Sequence, residues 1–198
     1  MKSDICKLSN DTVSLENALK EAEKIAVYAG LDAKQTGRLR LLAEELIGMV
    51  PSLLAYADGD FWIEAEGKNF TLHVSLTPSS IVNAEKREKL LAVSSSGKNA
   101  AAVGIMNKIR IAAELMLLDY AEVSSSMPAS YDFYSQGMSS APLFVDPAWS
   151  LQAYRSSAEQ EKNEKWDELE KSIIANIADD VLVGIQGKKV DIIVKKVF

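Results

Sequence analysis

Residues 60–66 and 70–76 alternate strictly between apolar and polar side chains, and Gly67-Lys68-Asn69 lies between the two segments. A period of two that is interrupted by a short glycine-containing turn is typical of a β-hairpin. The apolar positions of the two segments are Phe61, Ile63, Ala65, Phe70, Leu72, Val74 and Leu76. A hairpin with one such apolar face has to pack that face on a core, so the rest of the chain must cover it.

Three segments can provide this cover, because their apolar residues recur at the spacing of one helical face. They are residues 14–29, 33–56 and 160–178. In the last segment, the residues predicted to face the core are Trp166, Leu169, Ile173 and Ile177. Further short strands are predicted at 3–8, 181–186 and 189–197. We therefore predict an α+β fold, a two-layer α/β sandwich in which these helices cover one face of a mixed, mostly antiparallel sheet.

Local residues mark the ends of the first two helices. Gly30 follows residues 14–29 in the way that a glycine follows a helix C-terminus. Asp32 can cap the second helix, with Gln35 reaching back to it three residues later. Pro51 lacks an N–H and clashes with the preceding turn, so it is expected to bend or interrupt that helix.

The middle of the chain is predicted to be an enlarged insertion, residues 78–158, within a single domain of residues 1–198. Helices are expected at about 83–92 and 100–118. Residues 121–154 contain no Lys or Arg, but they include Tyr131, Phe133, Tyr134, Phe144, Trp149 and Tyr154. These aromatic residues can anchor the insertion on the domain, form a surface that binds a protein partner, or fill a cleft of the domain.

The composition excludes several classes of protein. A formal net charge of -6 disfavours non-specific binding to nucleic acid. A single cysteine, Cys6, cannot form an internal disulfide, and with the single His73 it does not make a zinc site. The first residues lead into no apolar signal core, and no apolar run approaches the length of a membrane span. We expect a cytoplasmic protein that binds neither nucleic acid nor membrane.

The predicted second helix carries two adjacent acidic residues, Glu44 and Glu45. Neighbours on a helix point about 100° apart, so the two carboxylates cannot share one proton site. Glu45 lies at the border of the apolar face, whereas Glu44 lies further round toward solvent. A carboxylate at such a border can orient a water molecule for phosphoryl transfer. The alternative is a pair of solvated acids on an ordinary amphipathic helix.

A small polar loop at residues 94–99 precedes the helix predicted at about 100–118. Its hydroxyl groups, its cation and the following helix N-terminus favour an anion, and the candidate ligands are Ser96, Gly97, Lys98 and Asn99. The spacing of a P-loop is absent. The alternative is an ordinary helix start that is capped by a serine.

On these features, residues 1–77 and 160–198 resemble the GHKL, or Bergerat-fold, ATPase superfamily, and most closely its anti-sigma-factor serine-kinase branch. The order of short strand, long helix, motif helix, hairpin, final helix and two strands is similar to that family. The resemblance implies ATP as the ligand, with Glu45 in the place of the catalytic general base. It puts Met49 in the place of the asparagine that binds magnesium, so magnesium is not expected to be held in the usual way.

The resemblance also implies two further nucleotide-binding segments. No Asp-x-Gly-x-Gly turn follows the hairpin, and Ser75 or Thr77 is left to contact the base. The lid before a helix N-terminus is either the loop at 94–99 or residues 154–158, which offer Arg155. Members of this branch often act as dimers, so a homodimer is an expected state.

The sequence thus leads to two expected functions. The first is an ATP-binding signalling domain of the histidine-kinase-like type, with impaired ATPase or serine-kinase activity. The second is a non-enzymatic, degenerate member of the same fold, which binds a protein partner through residues 121–154. A third interpretation is a domain that has only converged on this order of elements.

Overall fold

The computed structural model describes residues 1–9, 11–54, 57–78, 104–126, 149–161, 164–186 and 189–198. Its first half contains β1 (Cys6–Leu8), α1 (Thr12–Tyr28), α2 (Ala33–Leu53), β2 (Ala57–Glu66) and β3 (Asn69–Pro78). Its second half contains α3 (Ile105–Ser126), β4 (Trp149–Ser150), α4 (Leu151–Glu161), α5 (Glu164–Lys171), α6 (Ile173–Ile177), β5 (Asp180–Gln186) and β6 (Lys189–Val197). The protein is α+β, as the sequence predicts.

The described strands form one sheet in the order β1-β2-β3-β6-β5-β4, and each neighbouring pair is antiparallel. The prediction of a mixed sheet is therefore wrong for these strands. The two hairpins, β2-β3 and β5-β6, meet along β3 and β6. Because these two strands also run antiparallel, the described sheet contains no parallel pair.

The register of the sheet separates a helix-covered face from an opposite face. Phe61, Val74, Ile192 and Val183 lie side by side across β2, β3, β6 and β5, and all four are fully buried. They belong to one apolar core that also includes the inner faces of the helices. The neighbouring row contains Asp60, Ser75 and Asp191, so these side chains point away from the helices.

The ends of α1 and α2 are formed by the residues that the sequence indicates. Gly30 adopts a φ of 69°, the left-handed conformation that favours glycine after a helix. Asp32 Oδ1 accepts a hydrogen bond from the Gln35 N–H at 2.8 Å, and Gln35 Oε1 accepts one from the Asp32 N–H at 3.1 Å. The predicted capping box is thus confirmed. Pro51 does not interrupt α2, which continues for two more residues because Pro51 already lies in its last turn.

The helix predicted at 160–178 is wrong in its extent. The chain forms three helices, α4, α5 and α6, and the Ser172 side chain caps α6 by accepting a hydrogen bond from the Ala175 N–H. Leu169 is buried, but Trp166 is 44% exposed and Ile173 is 45% exposed, which contradicts their predicted inward positions. The break at Ser172 explains the error for Ile173, because the helical wheel that places Leu169 inward does not continue past it.

The helix predicted at about 100–118 is observed as α3, which begins after Gly104 at a φ of 94° and extends to Ser126. Ile109, Ala113 and Met116 form its buried face. The predicted helix at 83–92, the loop at 94–99 and most of the aromatic segment lie outside the described residues. In the part of the chain that is described, none of the helices combines the length and the apolar character that a membrane span requires.

Replacing Asp32 by alanine removes the acceptor of the α2 capping box. We expect the free energy of unfolding to fall by about 1 kcal/mol, because the Gln35 N–H loses its partner. Urea denaturation followed by circular dichroism measures this loss. Lys34→Ala, at an exposed position in the same turn, is the matched control. Equal stability of the two variants would contradict the role of the cap.

Candidate functional site

Helix α2 places Glu45 at the edge of the buried face. Leu42 and Leu46 are fully buried, and Met49, one helical turn after Glu45, is 8% exposed. Glu44 also lies at this edge, but it accepts a hydrogen bond from Arg40 Nε at 2.8 Å and is thus already paired. The half-buried Glu45 carboxylate has no hydrogen bond or ion pair within the part of the chain that is described. The two acids thus differ in their pairing, whereas both are half-buried and both line the first cavity described below.

Two adjoining cavities meet at Glu45, and together we call them the Glu45 cleft. The first has a volume of about 500 Å³, and its lining includes Met49 and Arg110. The second has a volume of about 580 Å³, and its lining includes Lys171 and Ser172. Glu45, Met106 and Asn107 line both cavities. Volumes of this size suit a small-molecule ligand.

Helix α3 forms the wall opposite α2. Its N-terminal end, at Gly104 and Ile105, lines the second cavity. The first N–H groups of a helix attract anions, so this wall favours a negatively charged ligand group. Asn107 and Arg110 lie on the same face of α3, three residues apart, and both line the first cavity.

Arg110 is held by a buried partner on its own helix. Its Nη1 donates a hydrogen bond to Glu114 Oε1 at 2.6 Å, and the Glu114 side chain is only 3% exposed. Burial raises the pKa of the Glu114 carboxyl above its usual value, and the charge and hydrogen bond of Arg110 oppose that rise. The pair thus fixes a guanidinium at the wall of the first cavity.

A separate network supports the second cavity. Glu168 accepts a hydrogen bond from the Tyr154 hydroxyl at 2.5 Å, and Lys108 Nζ lies 3.2 Å from the same carboxylate. These contacts join α3, α4 and α5. Glu168 is therefore already engaged in holding the wall, whereas Glu45 makes no polar contact with the residues that the structure describes.

The lining of the cleft offers carboxylate and amide oxygens, from Glu44, Glu45, Asn107, Asp167 and Glu168. Magnesium requires oxygen ligands in near-octahedral geometry, and Met49 offers only a thioether beside Glu45. Within the described ranges, no group of three or more His, Cys, Asp or Glu residues is arranged to hold a metal ion. Met49 itself is therefore not a magnesium ligand.

Ser75 and Thr77 lie on the sheet face opposite the helices. Ser75 is 3% exposed and forms a side-chain hydrogen bond with Asp191 on β6. Burial raises the pKa of Asp191, and the Ser75 hydrogen bond opposes this rise. The sheet thus separates both predicted base-contacting residues from Glu45.

Arg155 lies within α4 rather than in a loop. Its Nη2 donates hydrogen bonds to the carbonyl oxygens of Ala175 at 2.6 Å and Ala178 at 3.0 Å. Its Nη1 donates to the carbonyl oxygen of Asp179 at 2.8 Å. The guanidinium therefore binds the end of α6 and does not lie before a helix N-terminus, as the sequence interpretation requires. The other predicted ligands, Ser96, Gly97, Lys98 and Asn99, lie outside the described residues.

Sequence reasoning missed the residues of α3 and α5 that line the cleft. Asn107 and Arg110 lie on the polar border of α3, and the periodicity of the apolar residues does not indicate them. The spacing of Arg110 and Glu114, four residues apart with opposite charges, is the sequence signal that could have identified the pair. Lys171 and Ser172 lie at the break between α5 and α6, which the sequence pattern does not predict, so it does not indicate that they line a cavity.

No protein-family model matches the chain, and no curated protein and no solved structure is significantly similar to it.

Replacing Arg155 by glutamine tests its structural role. We expect the free energy of unfolding to fall by about 1–3 kcal/mol, because carbonyl groups at the end of α6 lose a charged donor. Chemical denaturation measures this change, and Gln152→Ala on the exposed side of α4 is the control. A variant with unchanged stability but weaker binding of a phosphate-containing ligand would instead support the predicted ligand contact.

Proposed function

We propose that the protein binds ATP in the Glu45 cleft, as a signalling-type domain of the histidine-kinase-like ATPase group with impaired catalysis. The observation that carries this proposal is the position of Glu45. A carboxylate that has no partner among the described residues lies where two ligand-sized cavities meet, on the helix that resembles the ATPase motif helix. Catalytic and ligand-contacting carboxylates need such access, and the neighbouring Glu44 is already paired with Arg40.

The architecture supports the same proposal at the level of the fold. Helices α1 and α2 precede the β2-β3 hairpin, and the short helices α5 and α6 precede the β5-β6 hairpin. The helices share a single core with one face of the sheet. This order and layering are what we expect of a Bergerat-like sandwich with an enlarged lid at about 78–158. Fold alone does not imply function, so the site carries more weight.

The charges of the cleft suit a phosphate-bearing ligand on one wall. Arg110 and the N-terminal end of α3 are positive, and Lys171 lines the second cavity. The rest of the charged lining is acidic, with Glu44, Glu45, Asp167 and Glu168. Glu45 lies across the first cavity from α3 and is available to orient a water molecule. Met49 supplies no magnesium ligand at the position where the resembled motif has its asparagine, so the charge of the transition state would be neutralised less completely. Turnover is therefore impaired while binding persists.

A protein-binding module remains the alternative function. It depends on the aromatic segment 121–154, of which Trp149 and Tyr154 lie in the described part. Their ring centroids are 6.2 Å apart, and both residues pack partly buried against the core. This end of the segment therefore anchors on the domain, which favours the anchoring interpretation here. The alternative gains support if a partner is lost on deletion of residues 127–148 from a chain that still folds.

ATP should stabilise the folded protein. At a concentration one hundred times the dissociation constant, we expect a rise in melting temperature of about 5–10 °C, because the ligand binds only the native state. Differential scanning fluorimetry measures this shift, with inorganic phosphate as the control ligand. No shift at millimolar ATP would overturn the proposed function in its present form.

Replacing Glu45 by glutamine separates binding from turnover. The amide keeps the shape of the side chain but cannot accept a proton, so ATP affinity should change by less than about twofold while any residual hydrolysis falls about 100-fold or more. Titration calorimetry and phosphate release measure the two effects. Glu16→Gln, on an exposed face of α1, is the control. Equal hydrolysis by both variants would remove Glu45 from the reaction.

A further inference from the structure

We infer, on the basis of the proposed function, that Glu114 and the phosphate groups of the ligand compete for the guanidinium of Arg110, so that the protein takes up a proton when it binds ATP. Glu114 is then a residue that determines affinity although it does not line the Glu45 cleft. The features that lead to this are a guanidinium at the cavity wall, a buried carboxylate that depends on it, and the apolar surroundings of that carboxylate.

Arg110 belongs both to an ion pair and to the wall of the first cavity. Its Nη1 donates a hydrogen bond to Glu114 Oε1 at 2.6 Å, and its side chain is 22% exposed at the cavity. Among the described residues it has no other hydrogen-bond partner. A guanidinium has five N–H donors in a planar fork, so a phosphate group in the first cavity can bind the donors that Glu114 leaves free.

Glu114 depends on Arg110 for its ionised form. The Glu114 side chain is 3% exposed, and Oε2 is buried without a hydrogen-bond partner. Burial raises the pKa of the carboxyl, and within the described part of the chain Arg110 alone opposes this rise, through its charge and its hydrogen bond. A buried carboxylate whose partner is drawn away is costly as an anion. Any weakening of the ion pair therefore favours the protonated form of Glu114.

The surroundings of this carboxylate supply no replacement for the guanidinium among the described elements. Helices α2 and α6 and strands β3, β5 and β6 pack against α3. The buried, helix-facing side chains of these strands are apolar, and α6 contains no charged residue. Helix α2 faces the shared cavity with two acids, Glu44 and Glu45. The cations Lys108 of α3 and Lys196 of β6 are each already paired with an acid.

Binding of a phosphate group therefore changes the proton affinity of Glu114. The negative charge of the ligand attracts Arg110 and repels the carboxylate, so the pKa of Glu114 is higher in the complex than in the free protein. Between these two pKa values Glu114 is ionised in the free protein and protonated in the complex, and the proton comes from the solvent. Affinity must then rise as the pH falls through this window, and Glu114 must add no pH dependence above or below it.

The alternative is that Glu114 only holds Arg110 in place. A residue of that kind increases affinity by ordering the guanidinium before the ligand arrives, so its loss weakens ATP binding. A competitor lowers affinity wherever it stays ionised, so its loss strengthens ATP binding. The two explanations thus predict opposite signs for Glu114→Gln, whose amide keeps the size of the side chain and can still accept the hydrogen bond of Arg110.

The first experiment counts the protons that accompany ATP binding. Titration calorimetry at a fixed excess of magnesium is repeated in buffers of different ionisation enthalpy, from about pH 5 to about pH 8. Within the window, the wild-type protein should take up about 0.5–1 proton more than Glu114→Gln, whereas adenosine, which has no phosphate, should give no difference. Equal proton numbers for ATP in the two proteins at every pH would overturn the inference and leave the proposed function standing. No binding of ATP would overturn both.

The second experiment measures ATP affinity at about pH 8, the end of this range at which Glu114 is most ionised. Glu114→Gln should bind ATP about tenfold more tightly than the wild-type protein, because the charge of Arg110 is no longer shared. The control Glu44→Gln removes an equal charge from an acid that lines the first cavity but is paired with Arg40. It should change affinity by less than about threefold and keep the proton uptake of the wild-type protein.

Two results of the second experiment speak against the competition. One is weaker ATP binding by a Glu114→Gln variant whose melting curve without ligand shows that it is folded, since Glu114 would then only position Arg110. The other is equal strengthening in Glu114→Gln and Glu44→Gln, since the effect would then reflect the total charge of the cleft rather than the shared guanidinium.

Discussion

The burial of one face of α2 determines where every other part of the cleft can lie. Leu39, Leu42 and Leu46 are fully buried in the same core as Phe61 and Ile63 of the hairpin. Each such side chain contributes about 1.5–3 kcal/mol, so rotation of α2 about its axis would cost far more than any single polar contact could return. Because the apolar face is fixed, Glu45 must stand at its edge, facing α3 and α6. The site is thus a consequence of core packing, and it requires no special backbone conformation in α2.

Met49 belongs both to the hydrophobic core and to the lining of the cleft. It lies four residues after Glu45, on the side of the helix that passes from the cleft into the core. An asparagine there would offer an oxygen to a metal ion but would bring a polar amide against apolar neighbours, which is costly unless a ligand satisfies it. The thioether packs well against apolar side chains and needs no hydrogen-bond partner. The chain therefore has a well-packed α2, and the guanidinium of Arg110 lines the first cavity from α3, where the buried Glu114 holds it.

The parts of the fold that were predictable from sequence are those that depend on neighbours along the chain. The capping box of Asp32 and Gln35, the glycine at Gly30 and both terminal strands follow from local chemistry and periodicity. The break at Ser172 was not predictable, because periodicity reports a buried face without reporting whether the helix is continuous. The contacts of Arg155 were likewise not predictable from residues that are close in sequence. Its partners, near Ala175 and Asp179, lie more than one helix away, and no local pattern indicates that a guanidinium will bind carbonyl groups there.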